Sequence, residues 1–422
     1  MKVLIISHNP LSQQSNMGKT LCSLFSEFRP EELCQFYIYP TVPNVAHCGS
    51  YYRITDKDAL RGVLHGRCVG SRQQVQLNAG MYETAADAKW YSNRRNHSAL
   101  RELMRDDLWR CAGWYGETLR IWLEQEAPDC IFVAPGGAKF LYDFALEIGK
   151  EREIPIVTYL CDEYYFCKTP LGRWDRCRHR LLKKKMETLM AQTSHLVTIC
   201  KELAEPYKKT FGVPTTVLMT GATIAQSSCV KIVQNRDAIS YFGNIRCERY
   251  RALAEIGAEL DAINAELGTT YRLKIYTAEQ NAQILSALRS YQSVELPGFL
   301  QGDAFVSELE NAQILLHVEA FGAESAELVK HSVSTKIADS LASGIPLLAY
   351  GPSSVASMAH LRRNGCAILA EERQALRGAL LTAFTEEEIC RRVAENGLQT
   401  AQKYHNRETV SRKLRDVIEG CV

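Results

Sequence analysis

Short apolar runs alternate with longer stretches of helical period from one end of the chain to the other. That alternation predicts parallel strands joined by crossover helices, the α/β class. The first run, 3–7 (VLIIS), leads through a polar loop at 8–16 into a helix over about 18–28, with Leu21, Leu24, Phe25 and Phe28 on one face. A second strand is expected at 35–39. The polar stretch 51–96 shows no clear period and reads as an elaborated loop with a helix or two. Regular pattern returns with one long helix over 98–126 and a strand at 130–134. The turn Pro135-Gly136-Gly137 follows, then a helix over 138–151 and a strand at 156–160. A helix over 176–193, a strand at 196–200, a helix over 201–211 and a strand at 215–219 complete the first half.

The polar segment 225–237 lacks a period and reads as a linker, so the expected division is 1–230 and 231–422. The second half repeats the same grammar: strand 240–242, helix 248–267, strand 272–276, helix 279–289 and a short strand before Pro297-Gly298. It continues with helix 303–310, strand 313–318, a loop over 319–334, helix 335–343 and strand 346–350. A last helix over about 407–420 suits either half. Two doubly wound, Rossmann-like parallel sheets are thus expected in series, with ligands at the carboxyl ends of their strands in a shared cleft.

Composition narrows the function only a little. The chain has 422 residues, 46% hydrophobic and 23% charged, with 50 Lys+Arg against 48 Asp+Glu. A formal charge of +2 gives no basic domain for nucleic acid. Fifteen cysteines are scattered without a C-x-x-C pair, which reads as reduced thiols used as small apolar residues. No apolar stretch reaches the length of a membrane span, and the first residues lack a signal pattern, so the expected location is cytoplasmic. The segment 173–185, RWDRCRHRLLKKK, holds seven basic residues and one acid. A solvated helix face and a peripheral contact with an anionic membrane at the inner surface are its two readings. Oligomeric state is not readable.

Several segments carry candidate chemistry. Gly18-Lys19-Thr20 after a strand invites a phosphate-cradle reading, but Gln13 stands where the motif needs glycine. Asn16, Met17, Gly18 and Lys19 then line either a polar-ligand site or an ordinary helix start. In 331–351, Ser334 or Thr335 is expected to cap a helix beginning beside Lys336, an anion site, with Asp339 a turn further on placed to accept bonds from sugar hydroxyls. A surface pair of Lys336 and Asp339 is the plainer reading. The turn Gly243-Asn244 with Arg246 and Arg249 just beyond offers the other half of an anion clamp. Asp162 and Glu163 follow a strand directly and can serve as base or orienter. The histidines show no metal-ligand spacing, so no metal or other cofactor is expected.

These segments resemble the GT-B-fold glycosyltransferases, in particular the retaining enzymes of family four, also called group 1. The resemblance covers nearly the whole chain, through TSHLVTICKELAEPYKKTFGVPTTVLMTGAT, SYFGNIR, SVELPGFLQGDAFVSELENAQILLHVEAFG and STKIADSLASGIPLLAYG. It implies transfer of a sugar from a nucleotide-diphosphate donor to a hydroxyl acceptor (a glycan, a lipid-linked glycan or a small molecule), without a catalytic metal, as in polysaccharide biosynthesis. It implies a diphosphate held by Arg246, helped by Arg249, and by Ser334, Thr335 and Lys336 beside Gly243 and Asn244. Phe299 and Leu300 would then lie near the base and Asp339 at the ribose, with acceptor contacts from Asn16, Met17, Gly18, Lys19 and Asp162. The family's paired glutamates are absent: His331 and Asp339 occupy their positions, leaving Glu319 or Glu324 to supply the missing carboxylate. Asp162 and Glu319 are accordingly the candidate catalytic residues. A nucleotide-sugar 2-epimerase and a non-catalytic sugar- or nucleotide-binding protein are the alternatives.

Overall fold

The computed structural model describes residues 1–13, 15–77, 98–166, 172–224, 229–300 and 302–422. Parts of the polar stretch and of the linker, 78–97 and 225–228, lie outside the described residues. The chain forms two compact units, Met1–Thr220 with Arg407–Val422, and Gly221–Asn406. Where the sequence draws the division near residue 230, the structure draws it at Gly221. The last helix, Arg407–Glu419, belongs to the first unit and packs on the helix Asn16–Leu24.

In chain order the first unit holds β1 (Val3–Ser7), β2 (Leu33–Tyr37), β3 (Ser50–Arg53), β4 (Ser71–Gln73), β5 (Cys130–Ala134), β6 (Ile156–Leu160), β7 (Thr193–Thr198) and β8 (Thr215–Val217). They form one eight-stranded sheet in the order β4-β3-β2-β1-β5-β6-β7-β8, parallel except for β4. β1, β2, β5 and β6 are buried along their whole length, as strands covered by helices on both faces must be, which is why they read as unbroken apolar runs. β3 and β4 lie in the stretch expected to be loop, because SYYR and SRQ are too short and polar to announce a strand. The expected helix 98–126 is two, Ala99–Cys111 and Glu117–Glu126. The chain breaks at Gly113, which sits at φ +62, and Trp114 turns into the core against Phe144.

The second unit holds β9 (Ala238–Phe242), β10 (Arg272–Tyr276), β11 (Val294–Glu295), β12 (Ile314–Val318), β13 (Leu347–Tyr350) and β14 (Ile368–Ala370). Their order is β11-β10-β9-β12-β13-β14, and every pairing is parallel. Strand order reverses between β9 and β12, as it does between β1 and β5 in the first sheet, and such a reversal leaves a crevice at the carboxyl ends of the two strands. The core of this unit joins Ile239, Leu273, Ile314 and Leu348 of the sheet to Leu253, Ile256, Leu260 and Ile263 of the helix Arg249–Leu267, all fully buried. Burying each such side chain contributes roughly 1.5–3 kcal/mol. The loop expected over 319–334 contains a short helix, Ala323–Val329.

Candidate functional site

The crevice of the second sheet gathers residues from four elements. Gly243 follows β9 directly, and its amide donates to the Tyr276 carbonyl of β10 at 2.9 Å. A Cβ placed on Gly243 would stand 2.5 Å from Lys336 Nζ, so the lysine amine rests against bare backbone. Glu319, the residue after β12, is 2% exposed and pairs with Arg249 at 2.8 Å to Nη2 and 2.9 Å to Nε. Arg249 Nη1 also donates to Asn244 Oδ1 at 3.2 Å, which ties the start of its helix to the turn after β9. Burial raises the Glu319 carboxyl above its ordinary range, while Arg249 and then Lys336 pull it back.

His317 on β12 lies 3.5 Å from Glu319 and bonds Ser357 Oγ at 3.1 Å. Burial, reinforced by Arg249 and Lys336, pushes its imidazole down to about 3, so the ring is neutral. The result is two cations of the second unit beside one buried carboxylate and a neutral histidine. Such an arrangement has a surplus of fixed positive charge and suits an anion.

The turn that presents this charge is strained. Cys247 and Glu248 are consecutive non-glycine residues in the left-handed region, at φ 51 and 58. Glu248 is held from outside by Ser325 Oγ, which donates to its Oε2 at 2.9 Å, and by Arg251 at 2.8 Å. This geometry turns Arg249 inward and leaves Arg246 exposed on the turn, reversing the weight the sequence gave the two arginines.

The helix beside the crevice is Lys336–Ala342, preceded by Thr335 in helical geometry. Thr335 makes no side-chain capping bond, contrary to the expected cap, because its backbone already follows the helical path. Asp339 is exposed on this helix, and Ser334 and Thr335 are half-buried. Phe299 is 56% exposed, and Leu300 beside it is half-buried. Glu324 is exposed on the helix Ala323–Val329, so of the two candidate glutamates only Glu319 lies in the crevice.

In the first unit Gly18 is enclosed by the helix start itself. Its amide donates to the capping Ser15 Oγ at 3.0 Å, and a Cβ there would stand 2.7 Å from the Ser12 carbonyl. Close packing therefore accounts for this glycine. Asn16 and Lys19 are exposed, and Met17 packs on the core. Asp162 lies past the end of β6, and burial pushes its carboxyl up to about 6. Glu163 beside it accepts from the amides of Tyr165 and Phe166 at 2.6 and 2.8 Å and from Tyr207 at 2.9 Å, a role in shaping the turn.

Sequence reading missed His8. It follows β1, with Nε2 3.0 Å from the Pro135 carbonyl, and burial pushes its imidazole down to about 4. It also missed His317 and Ser357, whose polar atoms are hidden in segments that read as apolar. Position directly after a central strand was the only signal available for His8. Among the described residues no cluster of histidine, cysteine and carboxylate side chains has the makings of a metal site.

No family model and no curated protein sequence matches the chain. Solved structures do. Sucrose-phosphate synthase from Thermosynechococcus elongatus superposes with a TM-score of 0.64 at 10% identity, over 99% of this chain and 98% of that one. HepE from Anabaena, in complex with UDP, gives 0.62 at 11% identity over the whole of both chains. A UDP-forming α,α-trehalose-phosphate synthase from Burkholderia xenovorans, in complex with glucose-6-phosphate, gives 0.63 at 10% identity over 99% of this chain and 100% of that one. The likeness establishes the fold: two Rossmann-like units of the GT-B kind, as the sequence led us to expect.

Proposed function

We propose that the protein is a glycosyltransferase that takes a sugar from a nucleoside-diphosphate donor bound at the carboxyl edge of the second sheet. One observation carries the reading: Lys336 Nζ rests on Gly243 while Arg249, paired to buried Glu319, stands at the same strand reversal. Diphosphate is a leaving group whose charge grows as the glycosidic bond breaks, and fixed cations already in place stabilise that charge without reorganising. Arg249 is held on two sides, by Glu319 and Asn244, and so loses little freedom on binding. Uridine is the base of first choice, because similarly folded chains are described as bound to UDP, UDP-glucose, or UDP with glucose.

In this reading Lys336 and Arg249 grip the diphosphate, with Arg246, Ser334 and Thr335 as further contacts. Phe299 and Leu300 face the base, and Asp339 binds the ribose. Glu319 acts on the transferred sugar only through Arg249, because both its oxygens lie within the buried cluster. Asp162, raised to about 6, is ionised at neutral pH and orients the acceptor hydroxyl, with Asn16, Met17, Gly18 and Lys19 as acceptor contacts. Retention of anomeric configuration is the proposed outcome on the resemblance to the retaining family-four enzymes alone. No protein group here demands a metal: the cations already present would do its electrostatic task.

A thermal-shift series with UDP, GDP, ADP and the matching nucleotide sugars tests the reading. Stabilisation by a nucleoside diphosphate is expected by mass action. Lys336→Ala should weaken that ligand about 30-fold, the value of one charge-assisted contact of ~2 kcal/mol, with little change in the ligand-free midpoint. Unchanged affinity in that variant removes the anion site. Release of altered sugar and free nucleotide with no acceptor present would replace transfer by epimerisation.

A further inference from the structure

The first unit carries an outer surface that donor and acceptor binding leave unexplained. The helix Arg173–Met190 packs on the helices Lys139–Arg152 and Ala99–Cys111, and the latter packs in turn on Asp56–His65. The buried stripe of Arg173–Met190 is Leu182, Met186, Leu189 and Met190. The opposite side is not simply polar. Trp174 and Leu181, one heptad apart and so on one face, are 43% and 41% exposed. Along the next flank of the helix Arg176, Arg180 and Lys184 recur every fourth residue, Lys184 lying one turn from Leu181, all exposed and without a carboxylate partner among the described residues.

The neighbouring helices repeat the pattern. Leu100 and Met104 face outward at i and i+4, Met104 at 64% exposure, with exposed Arg101 between them. Leu60 and Leu64, the latter 66% exposed, do the same on Asp56–His65. Single exposed apolar residues are ordinary in soluble proteins. Three helices packed in succession that each turn large apolar side chains outward, two of them with cations close by, are not.

We infer that this three-helix face docks on an anionic lipid bilayer. The apolar side chains enter the boundary between headgroups and acyl chains, and Arg101, Arg176, Arg180 and Lys184 meet the lipid phosphates. The charge pattern decides for lipid over a protein partner. Cations occur in an unpaired row, and the exposed carboxylates of the long helix, Asp175 and Glu187, stand near its two ends. Other basic side chains of that helix are already engaged: Lys185 with Asp143 at 2.5 Å, Arg178 with the Gly137 carbonyl at 2.5 Å, and Lys183 over the Tyr165 ring. The row left over is the part that faces out. The inference does not depend on the reading of the second unit, since it is tested without turnover.

Cosedimentation of the full chain with phosphatidylcholine vesicles, with and without phosphatidylglycerol, provides the test. Binding is expected only with phosphatidylglycerol, and it should weaken as salt shortens the screening length from about 10 Å at 0.1 M to about 3 Å at 1 M. The triple variant R176E/R180E/K184E should lose at least about a hundredfold in partitioning, at about fivefold for each cation removed. The pair W174A/L181A should keep the salt-sensitive part and lose whatever binding survives high salt. All five positions are exposed, so the thermal midpoint should stay at the wild-type value in both variants. Absence of binding to phosphatidylglycerol vesicles, equal binding to both vesicle types, or binding untouched by either variant overturns the inference. So does a concentration-dependent dimer in sedimentation that W174A/L181A abolishes while vesicles are ignored, because the face would then belong to a second copy.

Discussion

The carboxyl edges of the two sheets solve the same topological problem with opposite electrostatics. At the second sheet, a buried carboxylate is neutralised by direct contact with Arg249, and Lys336 leaves the crevice cationic. At the first sheet, burial and not pairing sets the protonation states. Asp162 and Asp106 are pushed up to about 6 chiefly by desolvation, and His8 down to about 4. Lys139 and Arg178 only moderate Asp106. A cationic crevice binds an anion at any pH near neutral, whereas the two raised carboxyls of the first unit exchange protons just below neutral while His8 stays uncharged. In our reading these are the needs of a diphosphate and of a hydroxyl.

Acid titration separates the two units most widely. His317 and His360 in the second unit are pushed down to about 3 by burial, so the folded unit resists protonation while the unfolded chain takes up protons below about 6.5. Stability is therefore lost as pH falls through that window, about 2 kcal/mol per histidine by pH 5 and about 4 in all. In the first unit His8 acts in the same direction. Asp106 and Asp162 act oppositely, because a raised carboxyl pKa favours the folded state as pH drops from about 6 toward 3.8, and these three contributions nearly cancel. All five tryptophans precede residue 175. Tryptophan emission thus reports the first unit and far-UV circular dichroism reports both. At pH 5, dichroism should be lost at lower urea than emission; coincident transitions would erase the contrast.

Arg249→Ala probes the paired half. It strands Glu319 at 2% exposure without its cation, a loss of about 3 kcal/mol expected in the urea midpoint of the second unit at pH 7. Pairing Arg249→Ala with Glu319→Gln should recover most of it, since a neutral amide no longer needs the cation. Failure of the double variant to recover would mean that Arg249 acts through packing.

The contrast also sorts what the sequence made legible. Strands β1, β5 and β6 read with their observed bounds, because strands buried on both faces are apolar throughout; β10 did so on the alternation of RLKIY, whose Leu273 and Ile275 are buried while Arg272 and Lys274 are not. Lys336, Gly243, Arg249 and Glu319 were legible as polar or glycine residues just beyond such strands or at a helix start. Which arginine turns inward was not, because it depends on the left-handed Cys247 and Glu248, which no propensity marks. His317 and Ser357 were passed over because polar groups that satisfy each other inside the fold leave no pattern along the chain, and His8 because a single histidine after a strand has no periodicity to mark it. Beyond residue 351 the helix Ala356–Asn364 and β14 went unassigned: Ser357 and His360 interrupt the apolar face of the one, and the other is only three residues long.

Gly243→Ala gives the smallest effect on stability and the finest test of the second edge. The added methyl would stand 2.5 Å from Lys336 Nζ and 3.1 Å from the Tyr241 hydroxyl. The lysine amine is the far end of a flexible chain and can swing away. The Tyr241 hydroxyl is anchored by the bond it donates to the Asn244 carbonyl at 2.6 Å, and must give by a few tenths of an ångström. The cost to folding should stay under about 1 kcal/mol, since no buried group loses a partner and the glycine's freedom in the unfolded chain is reduced. Ligand affinity should fall almost as far as in Lys336→Ala, because the amine is displaced from the bare backbone where it faces Arg249 and Glu319. Adding Lys336→Ala to Gly243→Ala should then cost little more affinity. Full additivity of the two losses would show that the glycine serves the ligand directly, through its own backbone, and not by making room for the lysine.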